Sequence, residues 1–136
     1  MGPLDGVKVI EFSEIVAGPV AGMLLSDLGA EVTKIEPPWG DPWRHHEATV
    51  PGEARVFASV NRGKRSITLD LTSPDGRSIV HRLAADADVL VHNHRPDVPQ
   101  KLGIDYATLS SINPRLIYCE VSAYGEYGPD SGTPGY

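Results

Sequence analysis

The sequence predicts an α/β fold, an open parallel sheet with helices on both faces. Three observations lead there. Val7 to Ile35 and Ser66 to His92 each run from an apolar strand through a turn and a helix to a second strand. A single-helix link of that kind makes the two strands parallel, through a right-handed crossover. Finally, Val89-Leu90-Val91 is an unbroken apolar run, suited to a strand covered on both faces.

Taken in order, Val7 to Phe12 is the first strand, bounded by Asp5-Gly6. A turn follows at Ile15 to Gly18, and Pro19 suits the first turn of a helix, where its missing N–H costs nothing. Val20, Met23, Leu24, Leu25 and Leu28 give that helix its apolar face, Gly29 stops it, and Glu31 to Ile35 is the next strand. The Ile15–Gly18 turn then lies at a carboxyl end of the sheet, where open α/β sheets bind ligands and a helix N-terminus attracts anions. It lacks the Gly-x-Gly-x-x-Gly of a dinucleotide site, which disfavours a nicotinamide or flavin enzyme.

Pro37 to Glu53, with Pro37-Pro38-Trp39-Gly40-Asp41-Pro42-Trp43 and Pro51-Gly52, reads as a long loop without regular structure. Trp39, Trp43 and Arg44 would form a lid over a ring, or the tryptophans would pin the loop to the core. His45-His46 has no further ligand at useful spacing, so solvated histidines are expected there and no metal. Ala54 to Val60 is a short helix. From Ser66 the apolar residues Ile67, Leu69 and Leu71 alternate with Ser66, Thr68 and Asp70, the period of a half-buried strand. Arg62, Lys64 and Arg65 are expected to crowd the mouth of that strand and hold an anion, the alternative being a solvated basic turn.

Ser73-Pro74-Asp75 opens the next helix with an N-cap serine, a first-turn proline and an acid, and Ile79, Val80, Leu83 and Ala84 form its buried stripe. Asp88 to His92 is a strand, and Asn93-His94-Arg95-Pro96 emerges from its carboxyl end on the same side as Ile15–Gly18. Val98–Leu102 and Tyr106–Ile112 are short helices, and Leu116–Val121 is the last strand. Ala123 to Tyr136 is rich in glycine and proline with no periodic pattern, which reads as the N-terminal portion of something longer.

The chain of 136 residues, 40% of them apolar, suits one core or part of one. Its net charge of −6 argues against nucleic-acid binding. A single cysteine, Cys119, excludes an internal disulfide, reads as a buried thiol and fits a reducing cytoplasm. There is no leader-like start and no apolar run long enough to span a membrane.

Leu4-Asp5-Gly6-Val7-Lys8-Val9-Ile10-Glu11-Phe12, Ala17-Gly18-Pro19, Leu28-Gly29-Ala30-Glu31-Val32, Lys34 to Asp41 and Asn61 to Leu71 together resemble one family, the class III CoA-transferases. The likeness continues through Asn93–Asp105, Asn113–Tyr118 and Gly128–Tyr136. That family includes formyl-CoA transferase, carnitine CoA-transferase and, as a chemically different branch, α-methylacyl-CoA racemase.

The resemblance implies a Rossmann-like core, with residues 1–136 forming the N-terminal α/β CoA-binding region of an incomplete domain. It implies acyl-CoA and a carboxylic acid acceptor as substrates, and an interlinked homodimer for the full-length protein. Contacts to coenzyme A are implied at Ile15, Val16, Ala17, Lys64, Arg65, Leu69, Thr72, Asn93, His94, Arg95, Lys101 and Leu102. Departures from the family's pattern are His92, His94, Asp97, Lys101 and Thr133; an acid at Asp97 would be unfavourable beside phosphate.

Three functions compete. In a CoA-transferase, an aspartate attacks the acyl-CoA to give a mixed anhydride, becomes an aspartyl-CoA thioester, and passes CoA to another carboxylate. The resemblance places that aspartate after Tyr136, so the 136 residues alone are expected to be inactive. A racemase would instead need a base for the α-proton, and Tyr136 stands where such relatives carry histidine; a phenol with a reference pKa near ~10 is a poor base at neutral pH. The third reading is a non-catalytic CoA-binding fragment.

Overall fold

A computed structural model describes residues 2–46 and 54–134. The elements are β1 (Lys8–Phe12), α1 (Ala17–Asp27), β2 (Glu31–Glu36), α2 (Arg55–Asn61), β3 (Arg65–Thr68), α3 (Pro74–Ala85), β4 (Val89–His92), α4 (Val98–Leu102), α5 (Tyr106–Ile112) and β5 (Ile117–Glu120). The five strands form one sheet, parallel as the sequence predicts, in the order β3-β2-β1-β4-β5. Strand alternation divides the core into two layers. Val9, Val32 and Val91 face α1, where Ala21 and Leu25 pack on them. Ile10, Phe12, Ile35 and Leu90 face the other way, against Val80 and Ala84 of α3 and Leu109 of α5.

Local signals hold where a single side chain decides the matter. Ser73 Oγ accepts from the Gly76 N–H at 3.0 Å and caps α3; Asp105 Oδ1 does the same for Thr108 at the start of α5. Beyond α1, Gly29 takes a φ of 105°, a conformation costly for any other residue.

Four expectations need correction. The strand opened by Arg65 ends at Thr68, not Leu71, because Asp70 Oδ1 accepts from both the N–H and the hydroxyl of Thr72 and turns the chain. The buried face of α1 is made of Gly18, Pro19, Gly22 and Met23, whereas Leu24 and Leu28 are about half exposed. The loop after β2 contains a 3-10 turn, Pro42–Arg44, capped by Asp41 Oδ1 on the Trp43 N–H at 2.9 Å. Cys119 is exposed. It lies on edge strand β5, whose alternate residues Ile117 and Cys119 point away from the core. Residues 47–53 of the long loop and the Gly135-Tyr136 dipeptide lie outside the described residues.

Candidate functional site

The sheet order places β1 between β2 on one side and β4 on the other. Beyond the last paired residues, Phe12 and His92, the chains diverge and leave a crevice at the carboxyl ends. The turn 13–16 and the loop 93–96 form its two lips. Ile15 has φ 66°, the one non-glycine residue among those described with a positive value. For a β-branched side chain that geometry is strained by about 1–3 kcal/mol and needs support. Support is present on both sides. Asn93 Oδ1 accepts from the Glu14 N–H and Asn93 Nδ2 donates to the Glu14 carbonyl, each at 2.8 Å. Lys34 Nζ donates to the Ser13 carbonyl.

Two cavities open along this edge and share His94. The first, of about 340 Å3, lies over β1, β2 and β3; Phe12, Ile35, Trp39, Leu69 and Leu102 give it apolar walls, and Glu14, Asp70 and Thr72 border it. The second, of about 450 Å3, lies over β4 and β5 and includes Ala17, Asn93, Arg95 and Ser122. The predicted residues Leu69, Thr72, His94 and Leu102 therefore meet in one cavity, and Ala17, Asn93, His94 and Arg95 in the other. Ile15 and Val16 stand in the turn that leads into Ala17. Lys101 is on the exposed face of α4, paired with Asp97 at 2.5 Å one helical turn earlier. The acid expected to be unfavourable beside phosphate is thus occupied by Lys101, which also holds its carboxyl below the usual range.

The expected cluster of Arg62, Lys64 and Arg65 does not form: Arg62 ends α2, and Lys64 and Arg65 leave on opposite faces of the sheet. Lys64 points under α1, with its side chain 2% exposed, and Nζ lies 2.8 Å from Glu11 Oε2 and donates to the Pro19 carbonyl and Asn61 Oδ1. Arg65 points to the opposite face and pairs with Glu31 at 2.9 Å, beside a third cavity at the amino end of the strands. Arg62 pairs with Asp27. Each cation already has its own carboxylate.

Beneath the first cavity lies a buried charge network that sequence reasoning missed. Lys34 Nζ sits 3.3 Å from Glu11 Oε1 and 2.9 Å from Asp41 Oδ2, and all three residues are essentially inaccessible. Glu11 Oε2 and Asp41 Oδ2 receive no well-aligned hydrogen bond, so the adjacent ammonium charges alone compensate them. Next to them Glu36 receives both Nε and an Nη of Arg44 at 2.6 Å, the Ser66 hydroxyl and the Asp41 N–H. Burial pushes the Glu36 carboxyl up, but those donors outweigh it and hold the pKa at about 2. Arg44 also stacks on Phe57, 3.8 Å from the ring centre, so it braces the loop and forms no lid. Trp39, 69% exposed, is not pinned to the core. The available signal was a lysine and two acids inside strands otherwise apolar enough to be buried.

Burial shifts other titratable groups at this edge. Burial pushes Glu14 up, and the negative charge of Asp41 adds to the effect. Burial likewise pushes His92 and His94 down to about 4, with His94 adding to the first and Lys34 to the second. His92 is inaccessible, and neither ring nitrogen has a hydrogen-bond partner among the described residues. His45 contacts the Trp39 carbonyl at 3.0 Å, and no group of three or more potential metal ligands occurs among the described residues.

The model of the family described as CoA-transferase family III matches residues 4–136. The chain belongs to that family. This family III chain is 41% identical over 142 residues to a succinate–glutarate CoA-transferase of Agrobacterium fabrum, covering 98% of the chain and 36% of that relative. It is 42% identical to the cinnamoyl-CoA:phenyllactate CoA-transferase of Clostridium sporogenes, covering 97% of the chain and 33% of the relative. Among solved structures, a CAIB/BAIF family protein of Brucella suis superposes with a TM-score of 0.93 at 46% identity, over 99% of the chain and 37% of that protein. A short-chain dehydrogenase/reductase family protein at 18% identity and TM-score 0.56 shares the fold alone. The chain spans about a third of the length of the curated relatives it matches. No helix among the described residues is long and apolar enough to cross a membrane.

Proposed function

We propose that the chain supplies the CoA-recognition edge of a CoA-transferase acting between an acyl-CoA and a carboxylic acid. The observation that carries this reading is the pair of cavities at the switch point, lined by seven residues that the family resemblance connects with CoA: Ala17, Leu69, Thr72, Asn93, His94, Arg95 and Leu102. The electrostatics divide the cofactor between them. Asp70, whose carboxyl the Thr72 hydrogen bonds hold below its ordinary value, makes the first cavity repel phosphate while its apolar walls accept a flat ring, with Trp39 at the rim. Arg95 is exposed, has no carboxylate partner among the described residues, and borders the second cavity; Lys101 is held by a surface ion pair, which exchanges at little cost. These two cations suit the diphosphate and ribose phosphate.

Lys64 and Arg65 are left out of this site, since their charges are engaged elsewhere. The acyl group passes through an aspartyl mixed anhydride and the CoA through an aspartyl thioester, on the aspartate that the resemblance places after Tyr136. The full-length protein works as an interlinked homodimer in the cytoplasm.

Calorimetric titration with CoA and with dephospho-CoA tests the reading. A charge-assisted contact is worth about 1.5–3 kcal/mol, so Arg95→Ala should raise the Kd about ten- to hundredfold, while Arg65→Ala should leave it unchanged. Equal affinity of the parent and the Arg95 variant would overturn the placement.

A further inference from the structure

We propose that Asn93 is a positioning residue, which holds Ile15 in its left-handed conformation and thereby sets where Val16 and Ala17 meet the bound cofactor. The inference rests on the reading that CoA lies along this edge. An asparagine amide offers one acceptor oxygen and two N–H donors. Here the oxygen and one donor both engage the Glu14 peptide, at 2.8 Å each, which leaves one N–H and one lone pair of the amide for anything else. The two bonds bracket the residue that precedes Ile15, just beyond the point where β1 and β4 cease to pair at Phe12 and His92. The side chain thus replaces the missing backbone ladder across the mouth of the crevice.

The surroundings press on that clamp from both sides. A Cβ on Gly18 would lie 2.2 Å from Ser13 Cβ and 3.4 Å from Asn93 Cγ, so the start of α1 is pressed against both ends of the clamp. The opposite side of the turn is fixed by Lys34 on the Ser13 carbonyl. Glycine would adopt a positive φ at residue 15 without support, yet the chain carries a β-branched side chain there. The residues after it, Val16 and Ala17, are exposed, and α1 has no side-chain cap at Val16. What the clamp presents outward is therefore apolar surface and backbone N–H, set between the two cavities that share His94.

The decisive experiment is a double-mutant cycle in the full-length protein, read as Kd for CoA and as separate kcat and KM for transfer. Asn93→Ala should raise the Kd at least tenfold and raise KM with little change in kcat. In an Ile15→Gly background the same substitution should cost under threefold, because glycine holds the turn unaided. An equal cost in both backgrounds would mean that Asn93 touches the cofactor directly, and would overturn the proposal; so would no cost in either. If Asn93→Ala does not fold, Asn93→Asp, which keeps the acceptor for the Glu14 N–H but sets a carboxylate against its carbonyl, is read in the same way. Should the parent chain bind no CoA, the function proposed above fails, and the clamp is then judged from the φ of Ile15 in the Asn93 variant by NMR coupling. Retention of a positive φ without Asn93 overturns it.

Discussion

Residues 62–65 and residues 93–95 both look like polar, cationic mouths of a strand in the sequence, yet the fold treats them differently. At 62–65 the three cations diverge, one to Asp27, one to Glu11 and one to Glu31, and none is left for a ligand. At 93–95 a single arginine follows two uncharged side chains, has no carboxylate partner among the described residues and borders a cavity. A run of positive charge is evidence for an anion only after its intramolecular carboxylates have been counted. Those carboxylates are 34 to 53 residues away in the chain, invisible to local pattern.

The contrast can be broken most forcefully at Glu11. Glu11→Ala leaves Lys34 and Lys64 buried with too little negative charge, and should cost about 3–5 kcal/mol in urea unfolding. A loss under about 1 kcal/mol would show that water reaches the network.

The dependence of stability on pH separates two further groups. Glu36, 3% exposed, has a folded pKa of about 2 against an ordinary 4.5. Its contribution, on the order of 3 kcal/mol, is complete above pH 4.5 and lost as pH falls toward 2. For inaccessible His92, folded about 4 and ordinarily 6.5, the folded state resists protonation, so stability falls between pH 6.5 and 4 by a similar order. His94 is depressed to the same value, so His92→Phe should shrink that upper limb without abolishing it and leave the lower one; an unchanged upper limb would assign it to other groups.

Gly18→Ala pushes a methyl group into Ser13 and should destabilise by about 1–3 kcal/mol, measured by thermal unfolding. At the other extreme, Arg62→Ala and Arg65→Ala each remove an exposed ion pair and should each change stability by less than about 1 kcal/mol. A larger loss at either would restore the 62–65 stretch as a structural centre.

Most of the fold was legible because single residues punctuate it: Ser73 caps α3, Gly29 ends the first helix, and Val89-Leu90-Val91 announces a central strand. The carboxyl-end position of Ile15–Gly18 and Asn93–Arg95 followed from strand order alone. Three features did not follow. Lys34 and Glu11 look like the solvated face of a strand until registry sets them side by side. Lys64 and Arg65 adjoin in sequence, but alternation sends them to opposite faces. Ile15 gave no warning of its conformation, since β-branched side chains are among the least expected at positive φ.

Glu11 stands between Lys34, which follows it by 23 residues, and Lys64, which follows it by 53. The order in which the chain assembles is constrained by that arithmetic. When only β1, α1 and β2 have come together, with Asp41 beside them, the closed space holds two carboxylates and one ammonium. Desolvation is uncompensated until Lys64 arrives under α1 and evens the charge. The first strand–helix–strand unit is therefore no independent folding unit: it can dock loosely and hydrated, but dries out only when β3 joins it.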